Sequence, residues 1–227
     1  MEGAAMDKLR LRFSKCGRAV YISHLDLMRT MQRAFLRAGY PLKYSEGFNP
    51  HAQISILLPL SVGMSSRCEL MDFALTEEAD LKALPDVLTN AMPEGITAIE
   101  AYPAERKSRE LKWLAVEGKF EYDGYDPDAL SSTAEALGRF FARDSIVITR
   151  KTKHGEGETD IRPAIRSITV STQSDCVWVE AVVSAQEPTL NPELLASAVR
   201  QLVPELSPDF SCFTRIETFD AEMKIFR

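Results

Sequence analysis

From Lys8 the chain alternates basic and apolar residues as Lys8, Leu9, Arg10, Leu11, Arg12 and Phe13. A period of two predicts a strand with Leu9, Leu11 and Phe13 turned inward and a positive opposite face. Ser23 then stands three residues before Asp26, and Leu27, Met31, Ala34, Phe35 and Ala38 recur at helical spacing until Gly39 and Pro41. That pattern predicts an N-capped helix over residues 24–38. Apolar segments at 54–60 and 69–75, separated by a Ser- and Gly-containing turn, predict a hairpin. Leu81, Leu84 and Leu88 predict a second helix over 80–92, stopped by Pro93 and Gly95, and a β-prone stretch follows at 96–102. The element order so far is β-α-β-β-α-β.

The stretch 103–112 is charged and predicts a linker over 104–112. The pattern then restarts. Val116, Gly118, Phe120 and Tyr122 alternate with Glu117, Lys119 and Glu121. A helix is expected over 126–142, with Pro127 in its first turn and Leu130, Ala134, Leu137 and Phe141 on one face. Strands are expected at 146–151, 165–171 and 176–184, a helix from Thr189 or Asn191 to Leu202, and a last strand at 210–219. With one extra segment near Ile165, this is the same order again. The expected class is α+β: tandem ferredoxin-like (βαββαβ) domains with antiparallel sheets, over residues 1–103 and 113–227.

Composition narrows the function classes. The 227 residues are 45% hydrophobic and 26% charged, as in ordinary globular chains. No apolar run approaches the roughly 20 residues that cross a bilayer, and no signal segment opens the chain, so the expectation is a cytoplasmic protein with no membrane contact. Cys16, Cys68, Cys176 and Cys212 form no CxxC pair, so free thiols, no metal and no cofactor are expected. The net charge is −6, yet residues 1–50 hold nine Lys or Arg against four Asp or Glu. This segregation argues against a general nucleic-acid coat and for a local basic patch.

Arg29, Arg33 and Arg37 recur every four residues and share one helix face, opposite the apolar one. Phosphates suit such a stripe; a solvated helix face has the same pattern. Lys8, Arg10 and Arg12 project from the sheet face on which many ferredoxin-like modules receive RNA, unless the two sheets meet there. The loop Tyr44-Ser45-Glu46-Gly47-Phe48-Asn49-Pro50-His51 collects two aromatics, a carboxylate, an amide and an imidazole. It reads as a recognition loop for an unpaired base, or as a packed loop covering the helix end. His24 and His51, with Glu46, are candidates for acid/base work, although their spacing matches no metal motif. Lys151 and Lys153 in the 150–163 hairpin region are further candidates for phosphate contact.

Three segments, Tyr21-Ile22-Ser23-His24-Leu25-Asp26-Leu27-Met28-Arg29, the loop from Tyr44 to His51, and Thr152-Lys153-His154-Gly155 leading to Asp160-Ile161-Arg162-Pro163, resemble the bacterial radical-SAM-linked protein family. The resemblance implies a partner radical SAM protein encoded nearby and a place in RNA metabolism. It implies no reaction, and the chain lacks the CxxxCxxC motif of the partner enzyme. The expected function is an RNA-binding accessory protein presenting structured RNA to a radical SAM enzyme. The alternatives are a metal-independent endoribonuclease using His24 or His51, and a protein-only scaffold for the radical SAM partner.

Overall fold

The computed structural model describes residues 8–152 and 155–227. The chain divides into two compact units, residues 1–108 with Arg227, and residues 109–226. The division falls inside the charged stretch 104–112. Four α-helices and antiparallel strands give a mixed α+β protein, and no described helix is long and apolar enough to cross a membrane. None of the four cysteines is in a disulfide.

The first unit runs β1 (Leu9–Lys15), α1 (His24–Arg37), β2 (Ile54–Ile56), β3 (Ser65–Phe73), α2 (Leu84–Asn90) and β4 (Ile96–Pro103). Its strands lie in the order β4-β1-β3-β2, every pair antiparallel. Leu9, Leu11 and Phe13 enter the core as the alternation requires, and meet Leu27, Met31 and Phe35 of α1, Leu84 and Leu88 of α2, and Met71 and Phe73 of β3. The Phe35 and Phe73 rings sit 4.9 Å apart. At the start of α1 the Asp26 amide donates to Ser23 Oγ, and that hydroxyl donates back to Asp26 Oδ2 at 2.8 Å. Gly39, at φ +76°, turns the chain off the far end, where the Tyr40 amide donates to Phe35 O. Gly95 is required elsewhere: its φ is +89°, and a Cβ there would lie 2.4 Å from Cys16 O.

The second unit runs β5 (Trp113–Glu121), α3 (Pro127–Phe141), β6 (Val147–Thr152), β7 (Gly155–Asp160), β8 (Ile165–Gln173), β9 (Cys176–Ser184), α4 (Glu193–Leu202) and β10 (Phe210–Phe219). Its ladder is β10-β5-β9-β8, and β6 with β7 forms a separate two-stranded sheet. Residues 146–151 do form the expected strand, as β6, but it lies outside the ladder. β7, Gly-Glu-Gly-Glu-Thr-Asp, has no apolar residue to bury, and of this pair it is β6 that turns an apolar side chain, Ile148, inward. The ladder position falls to β8. Gly118 faces Phe213 across β5 and β10, and the ring occupies the space a Cβ would need.

Other expected bounds contract at prolines. Pro85 stands in the first turn of α2, so that helix starts at Leu84 and not at residue 80. Asp126 caps α3 by accepting from the Ala129 amide at 2.8 Å, as its position predicts.

Candidate nucleic-acid interface

The arginine stripe of α1 is solvent-exposed along its length. Arg29 lies 3.1 Å from Asp26 Oδ1, and the Ser23 hydroxyl, then Arg29, holds the Asp26 carboxyl below its ordinary range. Arg37 donates to Ala91 O, the carbonyl that follows α2, where a cation meets the negative end of the helix dipole. Arg33, between them, has no hydrogen-bond or ion-pair partner among the described residues. Arg33 and Arg37, with Thr30, Asn90 and Met92, line an open groove of about 540 Å³ between α1 and the end of α2. Two guanidiniums beside Thr30 and Asn90 in this lining suit an anion such as a phosphodiester.

The loop after α1 is a hook closed by its own polar groups. Tyr44 and Ala52 form a bridge, the Ser45 amide donates to His51 O at 2.9 Å, and the His51 amide donates to Ser45 Oγ at 3.1 Å. His51 Nδ1 lies 3.1 Å from Asn49 O and 3.2 Å from Ser45 Oγ. A carbonyl only accepts, so in the neutral ring Nδ1 carries the proton and Nε2 keeps the lone pair. Gly47 takes φ +115° at the bend. Phe48 at the tip is fully exposed and Tyr44 is 55% exposed. The loop is thus internally closed and does not cover the helix end with its aromatics. Beside it, Lys8, His51, Gln53, Ser55 and Asp72 line a depression of about 310 Å³.

The basic face of β1 is a correction. Arg10 is 1% exposed, and its Nε lies 2.7 Å from Asp72 Oδ1 while Nη2 donates to Arg106 O at 2.8 Å. Arg12, 14% exposed at its side chain, lies 3.7 Å from Glu100 Oε1. Asp72 and Glu100 are the direct cross-strand neighbours of Arg10 and Arg12 on β3 and β4, so their acids neutralise the row from both sides. Lys8 keeps a side chain 59% exposed, with Nζ 2.9 Å from Asp72 Oδ2. Tyr102, next to Arg10 on β4, has its hydroxyl pushed up to about 12, chiefly by burial.

The two histidines do not come together. His24 begins α1 and His51 follows its far end, and a helix of 14 residues is about 20 Å long. Both are exposed, as is Glu46 in the hook. Among the described residues no group of His, Cys, Asp or Glu could hold a metal. Lys151 is paired through its backbone with Glu156; its side chain, with Lys153 and His154, lies outside the described residues. The segment Asp160-Ile161-Arg162-Pro163 is a brace. Asp160 accepts from the Ile146 and Arg162 amides and from Ser145 Oγ, and Arg162 donates to Arg143 O and Ile165 O.

Lys15 escapes a reading of the sequence. It is 1% exposed, its Nζ donates to Val20 O at 3.0 Å, and burial lowers its pKa against the pull of Glu69, itself fully buried. The alternating pattern would place it on an inward face, but a lysine there gives no signal that a buried carboxylate faces it.

No curated protein matches the chain. A family model matches residues 8–192, which contain the arginine stripe, the hook and the Asp160-to-Pro163 brace. The chain belongs to the DUF2344 family of uncharacterised proteins conserved in bacteria.

Proposed function

We propose that this protein is an RNA-binding accessory factor of the bacterial cytoplasm that presents structured RNA to a radical SAM enzyme. The observation that carries the RNA reading is the stripe of Arg29, Arg33 and Arg37, exposed beside an open groove, with Arg33 unpartnered among the described residues. In a chain of net charge −6 this is a concentrated positive surface. The hook supplies the second part: Phe48 and Tyr44 expose rings on which an unpaired base stacks, and His51 and Asn49 flank them. Lys8 adds a further cation at the neighbouring depression. Arg10 and Arg12, occupied by Asp72 and Glu100, have no part in it.

The strand orders β4-β1-β3-β2 and β10-β5-β9-β8 support reading each unit as ferredoxin-like, the second with the β6–β7 pair inserted. The resemblance of residues 21–29 and 44–51 to radical-SAM-linked proteins supports the choice of partner.

The test is binding of the purified chain to bulk cellular RNA across a salt series. Backbone contacts predict a linear fall of log affinity with log salt. Reversing Arg29, Arg33 and Arg37 together to Glu should remove binding while the circular dichroism spectrum is kept. Absence of binding by the wild type at low salt would end the RNA reading and turn the same surface toward an acidic face of the partner enzyme.

A further inference from the structure

The strands that end the two ladders are treated differently by the sequence. β4 is shielded: Ala98 donates its amide to Thr89 Oγ1 at 3.0 Å, the same hydroxyl donates to Ala98 O, and the strand ends at Pro103. Glu100 on β4 is occupied by Arg12 and Arg227. β8 has no such protection. It is nine residues long, Ile-Arg-Ser-Ile-Thr-Val-Ser-Thr-Gln, and its one strand neighbour among the described residues is β9. It contains no proline, lysine or acid, and its one charge, Arg166, stands before the segment of regular register. One irregularity falls at its start, between Ile165 and Ser167, leaving residues 167–173 in regular register.

The outward groups can be assigned from the turn. Ser174 and Asp175 join β8 to β9 as a two-residue loop closed by Gln173 and Cys176, which makes that pair a hydrogen-bonded one. Alternation up the antiparallel ladder gives Ser171, Thr169 and Ser167 bonds to β9, and turns both backbone groups of Thr172, Val170 and Ile168 outward. None of the three has a described hydrogen bond beyond the ladder. Ile168 and Val170 are each half-buried.

We propose that this edge pairs with the β8 of a second copy of the chain, antiparallel, about a two-fold axis at Val170. The self-complementarity of the segment selects that occupant. With Val170 opposite Val170, Ile168 falls opposite Thr172 and Thr169 opposite Ser171. All three outward residues then meet outward residues, exchanging about six backbone hydrogen bonds. No charged side chain enters the paired segment 167–173, so like charges never oppose each other. The β-branched row of Ile168, Val170 and Thr172 lies on one face and a row of small hydroxyls on the other, the side-chain types that pair well across strands.

Analytical ultracentrifugation of the full chain over a range of micromolar concentrations tests this. The wild type is expected to dimerise. Thr172→Pro removes an outward amide that the ladder does not use, so it should give a monomer with unchanged circular dichroism. Val170→Lys and Val170→Glu should each be monomeric alone, by like-charge contact at the axis, and should form a heterodimer when mixed. A monomeric wild type, or a dimer indifferent to both Thr172→Pro and the Val170 charges, would overturn the proposal, the first outcome leaving the edge to an extended segment of another protein.

Discussion

Arg10 and Asp72 stand opposite each other on β1 and β3, both buried, with Nε 2.7 Å from one carboxylate oxygen and Nη2 3.3 Å from the other. The pair takes a row of basic residues that alternation alone would offer to solvent and closes it inside the first unit. Removing one partner strands the other charge, at a cost of about 3–5 kcal/mol. Asp72→Ala should therefore lower unfolding stability by roughly 3 kcal/mol, read from the urea midpoint at unchanged m-value, while Arg10→Met with Asp72→Leu should recover most of it. A loss smaller than about 1 kcal/mol in Asp72→Ala would show that water or another carboxylate reaches Arg10.

Arg33 separates binding from stability. It is exposed and without a described partner, so Arg33→Ala should alter stability by less than about 0.5 kcal/mol. If it holds a phosphate, its loss should weaken RNA binding across sequences and reduce the slope of log affinity against log salt by about 1. Fluorescence anisotropy at several potassium chloride concentrations measures both. An unchanged slope would remove Arg33 from the interface.

Phe48 gives the complementary experiment for base contact. Its ring is fully exposed at the tip of the hook, so Phe48→Ala should leave the thermal midpoint in place. Stacking is worth about 1–3 kcal/mol per base, so affinity for single-stranded or loop-containing RNA should fall, with little effect on a perfect duplex. Equal losses for both RNAs would mean that the ring touches no base.

Acid should loosen the base of the β6–β7 hairpin. The Ile146 amide, then the Arg162 amide, hold the Asp160 carboxyl below its ordinary 3.8. A depressed folded-state pKa means that the contribution is present above pH 3.8 and is lost as pH falls through the folded value. Protection of the Ile146 amide against hydrogen exchange, relative to its intrinsic rate, should fall below pH 3.8, and Asp160→Asn should remove that pH dependence. Protection that is insensitive to acid would mean that the carboxyl group does not hold the hairpin.

Local order was legible wherever it depends on neighbours in the chain. The alternation of Leu9, Leu11 and Phe13, the reciprocal Ser23–Asp26 cap, the stop at Gly39 and the strand at 210–219 were all written in short-range pattern, because strand faces, helix caps and left-handed turns are set by the residues that form them. The exposed arginine stripe followed from the same periodicity. What lay beyond that range was decided by tertiary structure. Whether Arg10 and Arg12 meet solvent or a carboxylate depends on Asp72 and Glu100, about 60 and 90 residues away in sequence and joined to them only by strand register. That β8 and not β6 takes the ladder position depends on which strand pairs with β9, a long-range register that local pattern does not carry. His24 and His51 are parted by the length of α1, a rigid separation that sequence spacing of 27 residues does not reveal. Periodicity tells which face a side chain takes; only the packed chain determines what that face meets.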